Sequence, residues 1–381
     1  MRQQRVERML DRARAQGLEC VVLMPGPNLY YLTGLNMHMS ERTTMLFFPV
    51  NGQPFAFCPS FEAERVKTGA GVTKVFAWGE EEGPAPVLRR ALSATGLGQG
   101  VLGVEFRYMR ILERELLAHG AAQGVSAMGA GHATGLRYED AGVILADLRM
   151  TKDAEELANM QEAAAMVDAG CRAAHSFIRP GVTELQVVEH MERELGRLGA
   201  KPPFHIDVAS GPRAAVPHAG ATDRVLQEGE LCWVDFVYTY KGYVGDITRT
   251  YPVGRVEGKL AEIYRICLEA QAKARTEARP GMTGAQIDSI ARNYIAEKGY
   301  GEYFTHRTGH GLGLEGHEEP YIVGSNHRPL DIGQTFTIEP GIYIPGLGGV
   351  RIEDDVVLEP GGARSLTRYP RDLLQAAAPT E

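Results

Sequence analysis

The sequence predicts an α/β domain followed by an α+β domain built from two related halves. Three observations predict it. Short apolar runs alternate with helical stretches over residues 1–145, and over residues 146–381 long helices and Val-, Tyr- and Thr-rich strands take over. Arg179-Pro180-Gly181-Val182-Thr183-x-x-Gln186 recurs as Arg279-Pro280-Gly281-Met282-Thr283-x-x-Gln286, an offset of 100 residues. Leu226-x-x-Gly229-Glu230-x-x-x-Val234-Asp235 recurs as Leu330-x-x-Gly333-Gln334-x-x-x-Ile338-Glu339, an offset of 104. Two matches in one order at nearly one spacing indicate an internal duplication. The period is too long for a solenoid, so the halves are expected to face each other about a pseudo-twofold axis.

Length and composition narrow the class. At roughly 150 residues per domain, 381 residues suffice for two or three domains with a sizeable core. Hydrophobic residues at 44% and charged residues at 23% exclude a disordered, collagen-like or disulfide-stapled chain. Forty Lys and Arg against 48 Asp and Glu give a formal charge of -8, so neither nucleic acid nor an anionic membrane is an expected partner. The five cysteines, Cys20, Cys58, Cys171, Cys232 and Cys267, are scattered and form no CxxC, which argues against a thiolate zinc site and for a reducing compartment. The charged start does not read as a signal peptide, and no apolar run reaches the ~18–20 residues that span a bilayer. The expected location is cytoplasmic.

In the first domain, Val6, Met9, Leu10 and Ala13 recur at helical spacing, Gly17 ends that helix, and Cys20–Met24 reads as an apolar strand. Met45–Val50, Phe55–Cys58 and Val101–Glu105 are further strands, and Gly129–Leu136 is a Gly-rich junction. The second domain opens on an Ala- and Met-rich helix from Lys152 to Phe177, stopped by Pro180-Gly181. Thr183 with Gln186 is a capping box for the next helix, and Thr283 with Gln286 repeats it.

Each half then carries a hairpin with an acid on each arm. Leu231–Val237 and Tyr243–Tyr251 flank the turn Lys241-Gly242, with Asp235 and Asp246 nearly equidistant from it. Thr335–Ile344 and Val350–Leu358 flank Pro345–Gly349, with Glu339 and Glu353 equidistant from Gly346. Each pair is expected directly or diagonally across its hairpin, with Cβ atoms roughly 5–8 Å apart. Trp233, Val234, Phe336 and Ile338 place these strands in the core, where unpaired like charges destabilise. Arg249 and Arg351 are near in sequence, but four acids exceed two guanidinium charges. Two divalent cations would balance them, and an oxygen-rich site with an imidazole suits Mn, Co, Fe or Zn.

His306, His310 and His317 lie within twelve residues, among glycines that permit close backbone approach. Beside four acids, His310 and His317 read as site residues; His218 is evenly balanced between site and surface on spacing alone. Gly311-x-Gly313-x-x-Gly316 follows no apolar strand and precedes Pro320, so a dinucleotide fingerprint is a poor reading. Tyr30-Tyr31 and Met37–Met39 read as packing, and Glu80-Glu81-Glu82 as a solvated loop.

Asp235, Asp246-Ile-Thr-Arg-Thr250, Thr308-Gly-His310-Gly-x-Gly-Leu-x-x-His317-Glu, Glu339-Pro-Gly and Arg351-Ile-Glu353-Asp together resemble the pita-bread metallopeptidases, the group of methionine aminopeptidase, aminopeptidase P and prolidase. Asn28-Leu-Tyr-Tyr-Leu-Thr-Gly34 and Leu148-Arg149-x-x-Lys152-x-x-x-Glu156 extend the resemblance to the N-terminal domain of the creatinase, prolidase and aminopeptidase P branch, over nearly the whole chain. The resemblance implies a creatinase-like N-terminal domain and a pseudo-symmetric pita-bread catalytic domain. It implies that Asp235, Asp246, His310, Glu339 and Glu353 hold two divalent ions, manganese first, with cobalt or zinc as alternatives. Asp246 and Glu353 would bridge the ions, His310 and Glu339 would complete one, and Asp235 the other. His218 and His317 match the two active-site histidines that are not ligands, and Arg351 the arginine that orients a ligand carboxylate. Val237 departs from the pattern, which commonly has Gly two residues after the first aspartate; it would point away from the ligand-bearing face only if the strand is bulged.

The implied reaction is hydrolysis of Xaa-Pro bonds by a metal-bridging hydroxide, with His218 or His317 stabilising the oxyanion and Glu339 carrying the proton. Free dipeptides are the first expectation, because the 14-residue step from Glu339 to Glu353 is similar to that of compact prolidases. The alternative is an aminopeptidase P acting on longer peptides. A metal-free creatinase-like hydrolase, or a non-catalytic binding protein, fits less well with five retained ligands. The resemblance also implies a homodimer.

Overall fold

The computed structural model describes residues 1–121 and 135–374. The chain divides into two compact units, Met1–Arg149 and Met150–Glu381. In the first, strands β1 (Cys20–Leu23), β2 (Met45–Pro49), β3 (Phe55–Pro59), β4 (Lys74–Trp78), β5 (Gly100–Val104) and β6 (Leu136–Asp140) form one sheet ordered β4-β3-β2-β1-β5-β6. The pairs β1–β2 and β2–β3 are antiparallel; β1–β5, β3–β4 and β5–β6 are parallel. The helices of this unit are α1 (Gln3–Ala15), α2 (Pro27–Thr33), α3 (Ala63–Ala70), α4 (Pro84–Thr95), α5 (Ile111–Ala121) and α6 (Gly142–Met150).

The four apolar runs read as strands are β1, β2, β3 and β5. The two strands not read from the pattern, β4 and β6, are the sheet edges; β6 is mostly polar, whereas β4 carries the apolar run Val75–Trp78, a signal that the sequence did contain. Residues 129–134 of the expected Gly-rich junction lie outside the described residues. The Asn28–Gly34 motif forms α2, pinned by polar bonds: the Asn28 amide donates to Glu105 (2.8 Å) and accepts from Arg149 (2.8 Å). Tyr31, 1% exposed, donates to the Leu148 carbonyl, so its role is internal packing.

The second unit carries helices α7 (Ala154–Phe177), α8 (Glu184–Arg197), α9 (Gly258–Glu277) and α10 (Gly284–Glu297). The first helix starts two residues later than expected, because Asp153 caps it in a box with Glu156. Strands β7 (His205–Ser210), β8 (Glu230–Tyr240) and β9 (Tyr243–Val253) make an antiparallel sheet. A second sheet contains β10 (Gly309–Gly311), β11 (Glu318–Ile322), β12 (Thr335–Ile338), β15 (Asp354–Glu359) and β16 (Gly362–Ser365), while β13 (Gly341–Ile344) and β14 (Gly348–Arg351) form a separate ribbon.

The duplication is written into the hydrogen bonds. Thr183 and Thr283 cap α8 and α10 in matching boxes, and both helices have 14 residues. Gly181 N–H donates to Leu226 O and Gly281 N–H to Leu330 O; Leu226 and Leu330 return bonds to Val182 and Met282. Gly229 and Gly333 both sit at φ 85°, a left-handed position that suits glycine. This is the α/β plus duplicated α+β architecture that the sequence predicts. Trp233, Val234, Phe336 and Ile338 are all fully buried: Val234 in a core closed by α7 and α8, Phe336 and Ile338 in one closed by α9 and α10, and Trp233 on the other face of β8 against Ala209 and Ala214. Among the described residues, no helix is long and apolar enough to cross a membrane.

Lys152 Nζ lies 2.9 Å from Glu318 Oε1, with side-chain exposures of 1% and 7%. Lys152→Met strands that carboxylate in the interior and should lower unfolding stability by about 3 kcal/mol. Urea denaturation of the variant measures it, and a loss below ~0.5 kcal/mol would show that the pair contributes no charge compensation.

Candidate active site

The first hairpin turns at Lys241-Gly242, both with positive φ (48° and 84°), the two-residue geometry that matches strand twist. Its register sets Asp235 opposite Thr248 and Asp246 opposite Val237, so the two acids sit diagonally on one face. Pairing runs unbroken from Glu230↔Val253 to Tyr240↔Tyr243. With no bulge, Val237 shares the face of Asp235 and lines the same cavity, filling space that glycine would leave open. On the other side of β8, Asp207 lies directly opposite Asp235 and adds another carboxylate to this face.

The second hairpin is not continuous. Its arms break into β12 and β13, and into β14 and β15, and the breaks fall at Glu339-Pro340 and Ile352-Glu353. Pro340 has no N–H to give to a ladder. The freed glutamate amides bond elsewhere: Glu339 N–H donates to Thr308 O (2.8 Å) and Glu353 N–H to Thr248 O (3.1 Å). Both acids thereby leave the sheet and are aimed by neighbouring segments. His310 is brought in on β10, whose flanking glycines allow close contact. A Cβ on Gly309 would lie 1.9 Å from the Thr337 carbonyl oxygen, and one on Gly311 2.3 Å from that of Glu319.

One cavity of roughly 190 Å³ is lined by all eight residues singled out from the sequence: His218, Asp235, Asp246, His310, His317, Glu339, Arg351 and Glu353. Single donor atoms of Asp246, His310 and Glu353 lie within 4.8 Å of one another. His310 Nε2 is 3.1 Å from Glu339 Oε1, and the His310 and His317 rings meet at 4.1 Å between centroids. Arg351 reaches Asp235 (2.7 Å), the Thr248 hydroxyl (3.0 Å) and the Tyr343 hydroxyl (2.8 Å). Thr248 in turn donates to Glu353 at 2.6 Å.

Sequence reasoning gave no role to Thr248, which ties Arg351 to Glu353, or to Asp355, which accepts the Asp246 N–H at 2.9 Å. Thr248 could have been found by its i+2 spacing from Asp246 on a strand; nothing in the local pattern marks Asp355. His306 and Arg307 also line the cavity, and His306 bonds the Tyr343 hydroxyl at 2.9 Å.

The charges set the chemistry. Burial, with Asp235, Asp355 and Glu339 nearby, pushes Asp246 well above the ordinary carboxylate range. Burial, with Asp246 and Glu339, does the same to Glu353. Burial opposes ionisation of Glu339 too, but the hydrogen bond and charge of His310 prevail and hold it at about 2. Partial burial and the neighbouring His310 lower His317 to about 4, a neutral imidazole at pH 7. Asp246 Oδ1 is buried with no hydrogen-bond partner among the described residues. An orphaned carboxylate oxygen beside an imidazole and a second buried carboxylate fits a divalent cation.

Residues 158–360 match metallopeptidase family M24, and residues 5–128 match the creatinase/prolidase N-terminal domain. The chain belongs to metallopeptidase family M24. An uncharacterized peptidase of Staphylococcus epidermidis is 36% identical over 346 residues, 90% of this chain and 93% of that protein. A dipeptidase from Pyrococcus horikoshii superposes with a TM-score of 0.87 at 36% identity, covering 97% of this chain and 99% of that one. An Xaa-Pro dipeptidase from Bacillus anthracis gives 0.84 at 31% identity, covering 98% and 99%. That family uses divalent metal, and Asp246, His310 and Glu353 in the cavity form a cluster that could hold one.

Proton and metal compete for the same oxygens. A carboxyl with a raised folded-state pKa stabilises the fold below its unfolded value and loses that contribution as pH rises through the folded one. Asp246 and Glu353 are both raised, so the metal-free protein should lose stability from about pH 4 upward. Metal-loaded protein should not, and the gap in Tm between EDTA-treated and metal-loaded samples should widen from about pH 5.5 to about pH 8.5. A pH-independent gap in scanning fluorimetry would contradict ionisation of these two acids as its source.

Proposed function

We propose that this enzyme is an Xaa-Pro dipeptidase, a prolidase, that hydrolyses proline-containing dipeptides with two divalent ions, manganese by preference. The observation that carries the reading is the small, acid-lined cavity: roughly 190 Å³, against ~300–1,000 Å³ for common ligand pockets, suits a dipeptide better than a longer chain. Likeness to proteins named dipeptidase and Xaa-Pro dipeptidase over nearly the full length supports it. An oxygen-rich donor set with one imidazole supports manganese, with cobalt or zinc as alternatives. Residues 1–145 are assigned as the creatinase-like N-terminal domain and residues 146–381 as the catalytic domain. A cytoplasmic location is supported by five free, buried cysteines; a homodimer rests on family likeness alone.

Asp246 and Glu353 would be shared between the two ions, His310 and Glu339 would hold one, and Asp235 the other. Bound there, the ions supply positive charge that acidifies water and polarises the scissile carbonyl. Arg351 bonds the Asp235 carboxylate and, through Thr248, fixes that of Glu353. Glu339 Oε1 accepts a bond from the Thr337 hydroxyl, which leaves Oε2 to take the proton of the attacking water and pass it to the leaving nitrogen, while His310 Nδ1 faces the Gly311 carbonyl and keeps Nε2 for the ion. That nitrogen belongs to proline, which has no N–H in the peptide. His317, neutral at pH 7, donates to the substrate carbonyl as it gains negative charge, and His218 positions the substrate from the exposed side of the cavity.

The test offers manganese-loaded and chelator-treated enzyme Ala-Pro beside Ala-Pro-Ala. Cleavage of Ala-Pro that disappears with chelation is expected; cleavage of the tripeptide alone would move the enzyme to aminopeptidase P, and no cleavage of either would reject the Xaa-Pro reading. Asp246→Asn should lower kcat by about 10³ or more and reduce bound metal, measured by steady-state kinetics and metal analysis.

A further inference from the structure

An open basin of roughly 510 Å³ lies apart from the catalytic cavity, between the end of α9 and the segment that follows β15. Four arginines line it: Arg275, Arg364, Arg368 and Arg371. The nearby acids do not balance them. Glu359 is bonded to Arg364 at 2.6 Å, and Asp354 is shared between Arg371 and the buried Arg249. No acid is left for Arg275, whose Nε is buried without a hydrogen-bond partner among the described residues. Burial, then the charge of Arg371, pulls its pKa below the ordinary arginine value. Its place in the last turn of α9 gives it some favourable interaction with the helix dipole. That accounts for one arginine and not for four facing a common space in a chain of net charge -8.

Small hydroxyl and backbone donors complete the wall. Ser365 Oγ accepts from Arg371 at 3.1 Å, and the exposed Gly361 brings main chain to the surface with no side chain in the way. Planar guanidinium groups bond phosphate oxygens two at a time, which makes arginine the preferred phosphate ligand where several donors converge. We propose that this basin binds a small anion carrying two or more phosphoryl groups. The site is independent of the metal centre and of the peptidase reading: none of its lining residues lines the catalytic cavity.

The probe is inorganic pyrophosphate, titrated calorimetrically into metal-loaded protein at constant ionic strength. Three proteins are compared: the wild type, an Arg275→Gln/Arg368→Gln double variant, and Asp246→Asn. Wild type and Asp246→Asn should bind with equal affinity, and the double variant about tenfold more weakly or worse, with an unchanged circular dichroism spectrum and ligand-free Tm. Equal binding by the double variant, or no binding by wild type at about 10 mM, would overturn the proposal. So would binding lost in Asp246→Asn alone, which would place the anion on the catalytic metals. A second variant pair, Arg275→Lys/Arg368→Lys, keeps the charge and guards against a folding artefact: partial retention of affinity is expected, and full loss with an intact fold would assign the effect to something other than the anion site.

Discussion

Four carboxylates meet in one small cavity, and mutual repulsion is the constraint on which the rest of the second unit depends. Asp246 and Glu353 are 6% and 2% exposed, too dry for water to screen them. The protein answers with a single fully engaged arginine, Arg351, held by Asp235, Thr248, Tyr343 and the Pro217 carbonyl and stacked 4.7 Å from the Trp233 ring. Even with Arg307, which also lines the cavity, two guanidinium groups cannot balance four acids, and Asp246 Oδ1 has no hydrogen-bond partner among the described residues. The arrangement is complete only with cations, which is the physical content of belonging to a metallopeptidase family.

Duplication is what brings the acids together. Each half contributes a strand pair with two carboxylates, and the equivalent positions are Asp235 on β8 and Glu339 just past the end of β12. The halves are not copies at the site, however. The first hairpin keeps its ladder and presents aspartates, whose short side chains suit an unbroken sheet. The second breaks at Pro340 and presents glutamates from the gaps, where the backbone has turned to bond Thr308 and Thr248. The asymmetry gives one cavity two kinds of carboxylate: Asp246 and Glu353, pushed toward protonation, and Glu339, held ionised by His310.

Much of this was legible from the chain. The two repeats fixed the duplication because capping boxes and left-handed glycines have strict local requirements, and these recur at Thr183 and Thr283 and at Gly229 and Gly333. The acids stood out because charge inside an apolar strand is rare. What escaped were features without a local signature. The edge strand β6 lacks an apolar run, and the break in the second hairpin depends on where an amide finds its partner in the other half. Thr248 and Asp355 matter through bonds that span 105 and 109 positions, which no window of sequence contains. Val237 could be judged only once the unbroken register of β8 and β9 was known.

Those long-range bonds bear on how the molecule comes into being. The Glu353 amide and carboxylate are both fixed by Thr248, and the Asp246 amide by Asp355, so each half finishes the other's site. Bonds between such distant positions form late, after loop closure has brought the partners within reach. A chain that lacks residues 353–355 therefore has Asp235 and Asp246 on one hairpin but none of the bonds that fix the Asp246 amide and the Glu353 carboxylate, so truncation or local opening of the C-terminal half undoes the geometry of the N-terminal half.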